Sequence, residues 1–236
     1  PGDVGANVVS YFDASRDQGY FLLLAAPGIE QTTDIVAKDV IVVLDTSGSM
    51  EGEKIEQARE ALLYVLDHLN PEDRFNIVEF STGAREYSRD LIAAENAPEA
   101  VPWVERLEAT GGTDINLALL NALDMAEPDR PTMVLFLTDG VATEGEQDTS
   151  DIIDNINSAA PANVRLFAFG VGDDVDTILL DSLSSEQHGR TTYVRPGQAL
   201  NEAVSGFYAG ITAPVLADVE LTIDGATVDD IYPAPL

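Results

Sequence analysis

Along the middle of the chain, short unbroken apolar runs alternate with stretches in which apolar residues recur every three or four positions. Val40-Ile41-Val42-Val43-Leu44 and Met133-Val134-Leu135-Phe136-Leu137 are continuous and rich in β-branched or aromatic side chains, which predicts strands buried on both faces. Residues 74–80 and 164–171 read the same way, 191–194 is a short strand, and 84–88 is a short edge strand. Ile55, Ala58, Leu62, Val65, Leu66 and Leu69 fall on one helical face, and Asn70-Pro71 stops that helix. Further helices are predicted over about 98–108, through Ile115, Leu117, Leu119, Leu120 and Leu123, and over 149–159, 175–184 and 199–209. Strands alternating with helices predict a three-layer, doubly wound α/β fold with a mainly parallel sheet. In such folds ligands bind beyond the carboxyl ends of the strands.

The two ends of the chain depart from this pattern. Gly19 to Ala26 reads as a strand closed by Pro27-Gly28, followed by a polar stretch from Glu30 to Asp34. Past residue 214, Val219 to Ile223 alternates, Asp224-Gly225 is a hairpin signal, and Ala226 to Tyr232 returns. A small β appendage built from both termini is expected, with the C-terminal hairpin beside the strand at 20–26. The expected division is an N-terminal β segment (1–37), an α/β domain (38–210) and a C-terminal β segment (211–236) that reads as cut short, within a larger multidomain chain.

Charge narrows the range of partners. Forty-two Asp and Glu stand against twelve Lys and Arg, a formal net charge of −30 over 236 residues. Nucleic acid needs a basic footprint and is not expected as a partner. Self-repulsion on this scale is tolerated when salt screens it, so a halophilic source is the first explanation. The bland alternative is an acidic surface kept for solubility. No apolar run reaches membrane-spanning length, so this segment is not expected to insert in a membrane. The absence of cysteine excludes disulfides and thiolate metal sites.

Candidate chemistry lies where apolar runs end. The first run delivers Asp45, Ser47 and Ser49 in an Asp-x-Ser-x-Ser pattern, and the other delivers Thr138-Asp139-Gly140. Between them lies Gly111-Gly112-Thr113. Two carboxylates balance a divalent charge and three hydroxyls add neutral oxygens, a set suited to Mg²⁺, with Mn²⁺ or Ca²⁺ as alternatives. The remaining position suits a water or an acidic group from a ligand. Each fragment has a simpler explanation: serines cap helices, Asp before Gly makes turns, and paired glycines make hinges. Only the conjunction of Asp45, Ser47, Ser49, Thr113 and Asp139, in this order after buried strands, favours a metal site. Asp114 and Asp174 fit a solvated acidic face, with tuning of the metal as the alternative; His68 and His188 fit a cap or solvent; and Trp103 fits helix packing, with a partner contact as the alternative.

The chain resembles von Willebrand factor type A domains carrying a metal-ion-dependent adhesion site. The matching segments are Asp45-Thr46-Ser47-Gly48-Ser49-Met50, Gly112-Thr113 and Thr138-Asp139-Gly140, and the resemblance covers about residues 38–210. More narrowly, Lys54 to Leu62, Asp73-Arg74-Phe75-Asn76 with Glu79-Phe80-Ser81, and Gly111 to Asn116 resemble the heavy chains of inter-α-trypsin inhibitor and their prokaryotic relatives. The resemblance implies a Rossmann-like fold, direct metal ligation by Ser47, Ser49 and Thr113, and Asp45 and Asp139 acting largely through water. It also implies a preceding VIT domain whose junction is Gly19 to Pro27, further β structure continuing from Asp230-Ile231-Tyr232-Pro233, and a last helix that moves on ligand binding.

The expected function is a non-enzymatic, metal-dependent protein-binding module, completed by an Asp or Glu of a protein partner and placed outside the cell or on its surface. A Mg²⁺-dependent phosphohydrolase is the enzyme alternative. An aspartate nucleophile of that kind needs a second Asp two residues after Asp45, where this chain has Ser47, and no lysine or histidine is expected beside the cluster. A Walker A phosphate loop is absent. The third class is a scaffold with a decayed site.

Overall fold

The computed structural model describes residues 5–26 and 36–211, which fall in two compact units. The first is a hairpin of β1 (Gly5–Asp13) and β2 (Gln18–Ala26), antiparallel with Asp13 opposite Gln18. Its turn is held by Asp13, whose Oδ1 accepts from the amide (2.9 Å) and hydroxyl (2.7 Å) of Ser15, and Asp17 takes φ 53°. The sequence predicts only β2. β1 is added because its apolar residues sit before a four-residue turn lacking the Asn-Gly or Asp-Gly signal. The expected C-terminal hairpin and the polar stretch at 30–34 lie outside the described residues.

The second unit is a sheet of seven strands between two helical layers. The sheet order is β5 (Ala84–Glu86), β4 (Arg74–Phe80), β3 (Asp39–Asp45), β7 (Thr132–Thr138), β8 (Val164–Val171), β9 (Arg190–Val194), with β6 (Ile92–Ala93) also paired to β4. β3, β4, β7, β8 and β9 run parallel, and only β5 and β6 are antiparallel. Alternating side chains of β3 serve two cores. Val40, Val42 and Leu44 pack with α1 (Glu53–Asp67), α2 (Ala97–Val104) and α6 (Leu200–Ile211). Ile41 and Val43 pack with α3 (Ile115–Asp124), α4 (Thr149–Ala159) and α5 (Thr177–Glu186). This double burial is why β3 is apolar without interruption.

Predicted element positions agree closely, with one shortfall: α2 ends at Val104 instead of near residue 108. Pro102 lies inside its last turn, and the chain leaves the helix through turns in which Arg106 N donates to Trp103 O and Leu107 N to Val104 O. The chain crosses from β3 to β4 on one side and then from β4 past β3 to β7. Strand order therefore reverses between β3 and β7, and Asp45 and Asp139 lie at that switch point, where the carboxyl ends open.

Candidate metal centre

The turn after β3 brings its oxygens together instead of capping a helix. Ser47 precedes a short 3₁₀ turn (Gly48–Met50) with extended backbone, φ −64° and ψ 165°, but its side chain makes no capping hydrogen bond. Helix α1 starts behind Gly52, which has no side chain to cap with. Ser47 Oγ lies 2.9 Å from Ser49 Oγ, and Ser49 Oγ donates to Asp139 Oδ1 at 2.7 Å. Oxygen pairs at these spacings match the edge of a Mg²⁺ octahedron, about 2.9 Å for metal–oxygen bonds near 2.0–2.1 Å. The hydroxyls are free of the capping role that would have explained them away.

Asp45 sits deeper. Its carboxylate is wholly buried and accepts from Ser47 N (2.8 Å) and from Thr138 Oγ1 (2.6 Å). Burial pushes its pKa above the ordinary 3.8; the hydrogen bonds from Thr138 and Ser47 oppose this, and the nearby charge of Asp139 adds to it. A carboxylate under this strain gains from a bound cation. Among the described residues no three Asp, Glu, His or Cys side chains gather as a metal site. The donor set is two carboxylates with hydroxyls, the chemistry of a hard cation.

Thr113 arrives on the neighbouring loop. Gly48 N donates to Gly111 O (3.0 Å) and Thr110 N to Thr46 O (2.7 Å), which ties that loop to the β3 turn. Gly111 has φ +82°, and a side chain there would meet Thr82 Oγ1 at 2.8 Å, so both backbone and space require glycine. Thr113 is buried and pinned by its backbone, its amide donating to Thr143 Oγ1 (2.9 Å) and its carbonyl accepting from Thr143 N (3.0 Å). Among the described residues no hydrogen bond joins the Thr113 hydroxyl to the other four. Asp45, Ser47, Ser49 and Asp139 thus form one linked cluster, and Thr113 joins it through its loop.

One expectation is overturned. Lys54 Nζ lies 2.5 Å from Asp139 Oδ2, so a lysine does stand beside the cluster. It follows Ser49 by five residues across the positive-φ turn at Gly52, a distance that no helical or strand period connects. Its scarcity was the available signal, since the chain has only two lysines. Thr138 and Thr143 also support the site unforeseen, Thr138 by donating its hydroxyl to Asp45 and Thr143 by accepting the Thr113 amide on its hydroxyl. Asp114 is not a plain solvated residue: it caps α3, its Oδ1 accepting from Leu117 N at 3.0 Å. Asp174 and His188 are exposed. His68 is exposed at the end of α1, stacked on Tyr64. Trp103 packs on Tyr87, ring centres 5.7 Å apart.

A mainly parallel sheet between two helical layers, with these loops at its switch point, defines a class that comparison makes explicit. The family model for the von Willebrand factor type A domain matches residues 39–205, and the chain belongs to that family. Within it, the chain is similar to inter-alpha-trypsin inhibitor heavy chains. It is 31% identical over 248 residues to heavy chain H2 of Mus musculus, covering 97% of this chain and 26% of that protein. It is 35% identical over 214 residues to heavy chain H3 of Rattus norvegicus, covering 86% and 24%. The chain therefore spans about a quarter of the curated relatives it matches.

Solved structures share the fold. A von Willebrand factor type A protein from Catenulispora acidiphila superposes with a TM-score of 0.67 at 22% identity, over 88% of this chain and 49% of that one. Proximal thread matrix protein 1 of the mussel byssus, solved with a zinc-occupied MIDAS motif, gives 0.57 at 16% identity, over 75% and 47%.

Proposed function

We propose that the α/β unit is a metal-dependent protein-binding module. Asp45, Ser47, Ser49, Thr113 and Asp139 would hold one divalent cation, Mg²⁺ or alternatively Mn²⁺ or Ca²⁺, and an Asp or Glu of a partner protein would complete it. When bound, the cation supplies a concentrated positive charge that attracts a carboxylate. The chain's own residues do the rest. Thr138 and the Ser47 amide fix both oxygens of Asp45, Ser49 donates its hydroxyl to Asp139 with the Ser47 hydroxyl against it, and the Thr143 and Gly111 contacts hold Thr113 on its loop. The observation that carries this reading is the Ser47–Ser49–Asp139 oxygen chain, made by hydroxyls that cap nothing.

We read the module as non-enzymatic. Lys54 removes one objection to a phosphohydrolase, but it is ion-paired to Asp139, and Ser47 still occupies the place where an aspartate nucleophile's second Asp would stand. The resemblance to heavy chains supports further domains, including a preceding VIT domain, the division at 1–37, 38–210 and 211–236, and a place outside the cell or on its surface. No helix among the described residues is long and apolar enough to cross a membrane. The acidic composition supports a halophilic source. The test is capture of partners from source cells with Mg²⁺ and with EDTA. Partners retained only with Mg²⁺, and lost with Asp45→Asn, are expected; equal capture under both conditions refutes metal dependence.

A further inference from the structure

The two lysines of this strongly acidic chain have separate duties. Lys38 is buried at the amino end of β3, paired with Asp73 at 2.8 Å. Lys54 stands at the opposite end of the sheet, where its ammonium touches Asp139 Oδ2 at 2.5 Å and Ser49 O at 3.3 Å. Asp139 is fully buried in this pair, whereas the Lys54 side chain is 38% exposed, so only the carboxylate is locked in place. The lysine borders a cleft of about 300 Å³ lined by Glu51, Gln57, Gly172 and Arg195. Space is ample on the Gly172 side, where even a Cβ would come no closer than 3.9 Å to Nζ.

We propose that Lys54 is an internal counter-cation that competes with the metal for Asp139. The inference rests on the cluster being a metal centre. Without metal, the ammonium neutralises one of two buried carboxylates. With metal, the cation takes over the neutralisation of Asp139, and the flexible lysine stem swings its charge toward the cleft. Two consequences follow from charge alone. Metal affinity is lower than the five donors would give unaided, because an ion pair must be broken first. Because Lys54 swings only as far as the cleft bordering the site, the loaded centre, formally neutral with Asp45 and Asp139 alone, keeps a positive charge at its edge, and a carboxylate ligand is favoured over water.

Titration calorimetry of Mn²⁺ into the EDTA-treated chain tests this. Lys54→Met keeps the aliphatic stem and removes the charge, and should tighten Mn²⁺ binding by about tenfold or more. Lys54→Arg keeps the charge and should stay within a few-fold of the unaltered protein. Acetate displacing metal-bound water lowers the relaxivity of the Mn²⁺-loaded protein, and its half-effect should move to higher acetate in Lys54→Met. Unchanged or weaker Mn²⁺ binding in Lys54→Met overturns the proposal, provided the unaltered protein binds Mn²⁺ and Asp45→Asn does not. An unmoved acetate curve overturns the claim that Lys54 favours a carboxylate. Failure of the unaltered protein to bind Mn²⁺ at all overturns the metal centre and this proposal together.

Discussion

Replacing Asp45 by Asn should separate stability from metal binding, moving them in opposite directions. The buried carboxylate of Asp45 holds its pKa above the ordinary 3.8, chiefly through burial and further through the charge of Asp139. Such a group takes up a proton in the folded state before the unfolded chain does. Its ionised form therefore costs stability at neutral pH, and the cost is relieved as pH falls through the folded pKa. Asn keeps the shape: its carbonyl can accept from Ser47 N as Oδ1 does, and its amide can donate to the Thr138 hydroxyl, which can reverse roles. Without metal, Asp45→Asn should be at least as stable as the parent. With metal at a hundredfold its Kd, the parent gains about 2.7 kcal/mol, roughly 5–10 °C. The variant should gain nothing. Trp103 is the only tryptophan and packs against the core containing α1 and α2, so its fluorescence reports unfolding of this unit directly. An Asp45→Asn protein that melts well below the metal-free parent, or that keeps the Mg²⁺ response, refutes the reasoning.

Three further outcomes are expected. Ser47→Ala should lose most of the Mg²⁺-induced rise in Tm while leaving metal-free stability within about 0.5 kcal/mol, because Ser47 caps no helix; loss of a true cap would cost about 1 kcal/mol without metal. Asp73→Ala strands the buried Lys38 ammonium and should cost about 3–5 kcal/mol in denaturant unfolding, with the Mg²⁺ response intact in the protein that remains folded. Raising KCl from low to multimolar should increase Tm, because the net charge of −30 repels itself least when screened, and a flat curve would remove salt adaptation from the picture.

Strands buried on both faces were the most legible part of the chain. Val40 to Leu44 and Met133 to Leu137 could be apolar without interruption only if both faces were covered, and each ends on its aspartate as the strand leaves the core. The clustering of Asp45, Ser47, Ser49 and Asp139 followed from that, because strand ends at a switch point must meet. What the sequence concealed depends on contacts across the fold or on unmarked turns. Lys54 reaches Asp139 across 85 residues through a positive-φ glycine turn. The end of α2 is set by Pro102 and the turns after it, although apolar spacing continues to the buried Leu107. β1 was hidden because the turn at 14–17 uses Asp17 with positive φ where glycine would have signalled a hairpin.

Anomalous diffraction from crystals grown with Mn²⁺ puts the metal centre to the most direct test. One strong peak should lie at metal–oxygen bonding distance, about 2.0–2.6 Å, from Ser47 Oγ, Ser49 Oγ and Thr113 Oγ1, with Asp45 and Asp139 around it and Lys54 withdrawn from Asp139. Crystals that take up Mn²⁺ only at the acidic surface, with Lys54 still seated on Asp139, would contradict it.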